Sequence, residues 1–152
     1  MVYHDADILR GAGREFTLAT LAATVGALSV TGSTVTPNLL HSIAVFDLDV
    51  TAAATAAGDT LDVYVDTSLD GGTSWRNIVH FTQLLGDGGA KRETMVINPG
   101  GNVGTAPLNT AADAASAGVR HILGSRYRAR YVQVDATTQD AGFAFSLKMR
   151  VI

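Results

Sequence analysis

The sequence contains no cysteine. That excludes disulfides, zinc–thiolate sites and a cysteine nucleophile, and it fits synthesis in a reducing cytoplasm. Prolines number three, and aromatics make up 7% of the chain. Charged residues are 16%, below the ~25% of an average domain. No window reaches ~18 apolar residues without glycine or charge, so no membrane partner is expected. The opening MVYHDADILRGAGRE has early acids and no apolar run, so it does not read as a secretory signal. There is also no excess of positive charge. The net charge is −3, whereas a nucleic-acid partner would favour a basic stripe.

What is present is strand-and-turn material. Hydrophobic residues are 47%, much of it alanine, beside sixteen glycines and many threonines. A chain of 152 residues reads as one domain, able to bury roughly 70% of its unfolded surface. Residues 1–13 read as an N-terminal arm, and residues 14–152 as a single domain. REFTLAT places Phe16 and Leu18 on one side of a strand, and LAATVGALSVTG leans to strand through its β-branched residues. In HSIAVFDLDVTA, Phe46, Leu48 and Val50 share one parity, and Asp47 and Asp49 the other. LDVYV alternates in the same way. WRNIVHFTQLL puts Trp75, Val79 and Phe81 on one side, and TMVIN is short. RYRARYVQVDA and GFAFSLKMRVI close the chain. The count is about eight antiparallel strands with turns between them. That predicts an all-β fold, a jelly-roll-like β-sandwich. The small, polar stretch 99–118 has no period and is long for a loop, which points to a functional or partner-ordered segment.

One stretch decides the functional class: DTSLDGGTSW, Asp66 to Trp75. Asp66, Ser68, Asp70 and Gly71 mimic the start of an EF-hand loop, but the twelfth position is Asn77, not the required glutamate. Ser68, Asp70, Gly72, Ser74 and Trp75 resemble the Asp-box turn of sialidase-like propellers. Those carry several copies, and this chain has one. The favoured reading is a structural hairpin made by Ser68, Asp70, Gly71, Gly72 and Trp75. Asp70 accepts backbone N–H bonds, a glycine takes positive φ, and Trp75 caps the core edge.

The run TLDVYVDTSLDGGTSWRNIVHFTQLLG, Thr60 to Gly86, resembles a segment common in structural proteins of tailed-bacteriophage particles. There a strand, a D-G-G-T-x-W hairpin and an F-x-Q strand occur together. The ending Arg126 to Ile152 resembles their last strand pair. The resemblance implies a small jelly-roll decoration or cement protein on the virion's capsid surface. Its partners would be the major capsid protein and its own copies, as a dimer or trimer. Head–tail connector, tail and fibre components use similar sandwiches.

Other constellations are thin. His4, His41, His80 and His121 lack ligand spacing, so neither metal nor cofactor is expected. No G-x-S-x-G elbow or P-loop appears. Asp47 with Asp49, and Asp62 with Asp66, share strand faces. They read as solvated faces before they read as glycosidase pairs, so no catalytic residue is assigned and the chain is not expected to be an enzyme. A carbohydrate-binding module would need exposed aromatics, for which Trp75, Tyr64 and Tyr131 are candidates. Arg120, Arg126, Arg128 and Arg130 form the one basic cluster. On a strand, the last three share a face. Two readings stand: a solvated face paired with the aspartates, or a docking patch for an acidic capsid surface.

Overall fold

Residues 14–24, 26–37, 43–99, 118–134 and 142–152 are described by the structure, a computed structural model. The arm at 1–13 and nearly all of the 99–118 stretch lie outside those residues. Among the described residues ten strands follow one another: β1 (Arg14–Leu21), β2 (Leu28–Thr31), β3 (Ala44–Ala52), β4 (Thr60–Ser68), β5 (Arg76–His80), β6 (Leu84–Leu85), β7 (Lys91–Ile97), β8 (Gly118–Val119), β9 (Arg126–Val134) and β10 (Ala144–Val151). Among the described residues the only helical element is a single 3-10 turn, Gly86–Gly88.

The strands form two antiparallel sheets. One has the order β1-β10-β3-β7, and the other β2-β9-β4-β5-β8 with β6 beside β4. The all-β sandwich expected from the alternating pattern is the observed architecture. The count is ten rather than about eight, because β6 and β8 have two residues each, too few to show a period of two. Without those two, the pairing is nested. The first strand lies beside the last (β1–β10), the second beside the second-last (β2–β9), and β3–β7 and β4–β5 complete the series.

Alternation explains the long central strands. Phe46, Leu48 and Val50 of β3 and Phe145, Leu147, Met149 and Val151 of β10 point inward from one sheet. Leu61, Val63 and Val65 of β4 and Tyr127, Ala129 and Tyr131 of β9 point inward from the other. The layers meet through aromatic rings. Phe46 and Tyr127 lie 6.1 Å apart, and Tyr131 stands edge-on to Phe145 at 5.1 Å. Burying each such side chain contributes about 1.5–3 kcal/mol.

Three irregularities break the simple parity. In β1 the register steps past Leu18, so Leu18 and Ala19 are both buried. In β3 it steps past Thr51. In β5 it steps past Ile78, which puts Ile78 and Val79 both in the core. A bulge adds one residue and turns the following side chains to the other face. That is why the parity expected for Trp75, Val79 and Phe81 fails. Val79 and Phe81 are buried, and Trp75 lies outside the core cluster.

Polar ties hold the edges together. Glu93 of β7 reaches across to Thr82, accepting from its N–H at 3.2 Å and its hydroxyl at 2.8 Å. Buried Gln133 donates to the carbonyls of Thr24 and Gly26 and accepts from the N–H of Phe143. One side chain thus anchors the β1–β2 turn to the entrance of β10.

Candidate functional site: the turn and the outer face of the second sheet

Ser68 to Trp75 form a self-contained turn between β4 and β5. The Ser68 hydroxyl donates to Asp70 Oδ1 at 2.8 Å and accepts the N–H of Gly72 at 2.7 Å. Asp70 also accepts the N–H of Ser74 on Oδ1 at 2.8 Å and its hydroxyl on Oδ2 at 2.6 Å. These bonds, with Ser74 first, hold the Asp70 carboxyl far below the usual carboxylate range. Gly71 and Gly72 take φ of +71° and +102°, where other residues are strained. Ser68, Asp70, Gly71 and Gly72 thus lie together in the turn that joins β4 to β5.

Trp75 departs from the expectation. Its indole N–H donates to the Gly72 carbonyl at 3.1 Å, and its ring lies under the Arg128 guanidinium at 4.2 Å. It closes the turn against the outer face of the sheet instead of capping the core. The Ile78 bulge reverses the parity before Val79, and Arg128 stacks on the ring that is thereby turned outward.

Arg126, Arg128 and Arg130 project from one face of β9, as their spacing predicted. Beside β9 lies β4, in a register that sets Asp66 opposite Arg128 and Tyr64 opposite Arg130. Asp66 is 3% exposed. It accepts from Arg128 Nε at 3.3 Å and from Arg130 Nε and Nη2 at 2.8 and 3.2 Å. Asn77, buried at the β5 bulge, donates to Asp66 Oδ1 and to the carbonyls of Val65 and Val79. The oxygen set Asp66, Ser68 and Asp70 is consumed by two arginines and by the turn. Among the described residues no three His, Asp or Glu side chains gather to hold a metal ion.

The row continues past Arg130. Its guanidinium covers Tyr64 at 4.6 Å, and the His80 ring stacks on Tyr64 at 4.2 Å. The two come from strands on opposite sides of β4, so Tyr64 lies between them. His80 Nε2 is 2.9 Å from Asp62 Oδ1, and Gln83 donates to the other Asp62 oxygen at 2.8 Å. Tyr131 is buried against Phe145. Of the three aromatics proposed for sugar stacking, one is inside, one is covered on both sides, and Trp75 carries an arginine.

Arg120 stands apart from the other three. It follows β8, with β5 and β4 between it and β9, and donates to the Asn77 carbonyl at 3.2 Å. Arg126 lies beside the turn, where a Cβ on Gly72 would come within 2.9 Å of its Nη1.

The outer face of the first sheet is a ladder of alternating charge. Glu15 of β1 pairs with Lys148 and Arg150 of β10, and Asp47 of β3 pairs with Arg92 and accepts from Thr94 of β7. Hydrogen bonds from the facing cations hold the Glu15 and Asp47 carboxyls below their ordinary values, and Asp47 raises Arg92. A shallow hollow of about 280 Å³ over this ladder is lined by paired charges. Another, of about 290 Å³, lies between β1 and β2 and is lined by Leu18, Val30, Tyr131 and small residues. The first includes Asp47 without Asp49, and the second includes Tyr131, but neither contains any of the four arginines considered for docking.

Sequence reasoning placed the arginines and the Asp62–Asp66 pair each on a face. Of its two readings of the arginines, the face paired with aspartate is seen at Asp66, while the parts of His80, Asn77 and Gln133 were missed. No family model and no curated protein matches the chain. Among the described residues no helix is long and apolar enough to cross a membrane.

Proposed function

We propose that the chain is a virion structural protein of a tailed bacteriophage, a decoration or cement protein bound outside the capsid shell. One observation carries the reading. The two segments with the phage-particle resemblance, Thr60 to Gly86 and Arg126 to Ile152, meet in space. β4 and β9 pair along nine residue positions at the centre of one sheet. The nested strand pairing supports a jelly-roll path, an architecture shared by viral capsid and lectin domains. The lectin side of that choice is weakened by the covered Tyr64 and the buried Tyr131.

The mechanism is adhesion. Each copy would bury roughly 800 Å² against a neighbour, and many modest contacts would add through multivalency to resist internal pressure. Ion pairs across neighbouring strands on both outer faces hold side chains still, which suits a part that must keep its shape under load. Mass spectrometry of purified particles, calibrated for copy number, tests the proposal. Copies on the scale of the shell subunits support decoration. Far fewer would move the chain to the connector, tail or fibre, and absence from the particle would reject a virion role.

A further inference from the structure

The outer faces of the two sheets differ in kind. The outer face of the first sheet carries the charged ladder Glu15, Lys148, Arg150, Asp47 and Arg92, with no aromatic ring among these residues. The outer face of the second carries Arg126, Arg128, Arg130, Trp75, Tyr64 and His80, with Asp62 and Asp66. Arginine and aromatic residues are enriched in protein interfaces, whereas lysine and glutamate are depleted. Arg128 and Arg130 are already held by Asp66 and by ring stacking, so less side-chain freedom would be lost on binding.

The face is also graded along its strands. At one end Arg128 and Arg130 share Asp66 and Arg126 stands beside the turn that holds Asp70, so three arginines meet two carboxylates and that end is cationic on a chain of net charge −3. At the other end Val134 and Leu85, 47% and 50% exposed, flank Thr60 on neighbouring strands. This gradient disfavours a second copy as the occupant. A two-fold axis along the strands would set arginine against arginine. An axis across them would set the arginine end against the apolar end. Neither is self-complementary, as a symmetric interface must be.

We infer that this face docks a different protein, one that presents carboxylates to Arg126 and Arg128 and apolar side chains to Val134 and Leu85. The inference rests on the virion reading, which makes that partner a shell subunit. It adds which side of the sandwich faces the shell and the chemistry expected there.

The test is add-back of purified chain to particles prepared without it, comparing the wild type with Arg126→Glu, Val134→Asp and Lys91→Glu. Lys91 is exposed on β7 of the other sheet and serves as the control. Thermal melts first establish that each variant is folded. Arg126→Glu and Val134→Asp should each bind at least about tenfold more weakly, with Lys91→Glu within about twofold of wild type. Wild-type binding by both face variants, or selective loss in Lys91→Glu, would overturn the docking face and leave the virion reading intact. Loss of binding after nuclease treatment of the particles would give the face to nucleic acid and overturn it too. Failure of the wild type to bind would reject the virion reading, and the partner assignment with it.

Discussion

Arg130 Nε lies 2.8 Å from Oδ2 of Asp66, 64 residues away in sequence, and that carboxylate is almost wholly shielded from water. Arg128 shares the same oxygen, so one buried anion joins β4 to β9 at two points. Replacing Asp66 by alanine leaves two cations side by side without their anion. The arginine side chains are 25% and 27% exposed, so water relieves part of the penalty. We predict a loss of about 2–3 kcal/mol in urea unfolding. The double variant with Arg130→Ala should lose less than the sum of the single losses.

The single tryptophan makes the same row visible. Its ring lies beneath Arg128, so Arg128→Ala should shift its fluorescence and cost about 0.5–1 kcal/mol. Arg150→Ala, on the other sheet, should leave the emission unchanged. A shift of equal size in both variants would contradict the stacking.

In the turn, Gly71 and Gly72 should not be equivalent. Both have positive φ, so alanine at either costs about 1–2 kcal/mol from backbone strain. At Gly71 the added methyl meets open space, whereas at Gly72 it meets Arg126. The Arg126 terminus can swing aside, but φ at Gly72 lies much farther from the left-handed well than at Gly71, so Gly72→Ala should be the more destabilising of the two in thermal melts.

Acid should weaken the fold through carboxylates held low. Glu15, Asp47 and Asp70 all titrate below their ordinary values because they accept hydrogen bonds in the folded state. A depressed folded-state pKa gives stability that is present above the unfolded value and is lost as pH falls through the folded one. Stability should hold down to the ordinary carboxylate range near ~4 and decline below it. Asp47→Asn should flatten that decline, and added salt should weaken the exposed Glu15 and Asp47 pairs. A slope unchanged by Asp47→Asn would contradict the assignment.

The core was the most legible part of the sequence. In Ala144 to Val151, each buried residue alternates with a wetter one, and the strand is as its pattern predicts. Phe46 also sits where its parity put it. Fully buried against Tyr127, its replacement by alanine should cost about 3–5 kcal/mol. The bulges at Leu18 and Ile78 were not legible, because an inserted residue changes parity without changing composition. The row from Asp62 to Trp75 was legible only in halves. The side of β9 that holds the arginines and the side of β4 that holds the aspartates follow from period two. That β4 lies beside β9, with Asp66 opposite Arg128, depends on sheet order, which no local pattern encodes.

The central claim is that this sandwich holds onto a shell. An electron cryo-microscopy map of purified particles tests it most directly. The account predicts two-layered density repeated outside the shell lattice, with the β9–β4 face against the subunits below. Bare shells, or a sandwich that turns this face to solvent and contacts the shell through the Glu15–Lys148 side, would contradict it.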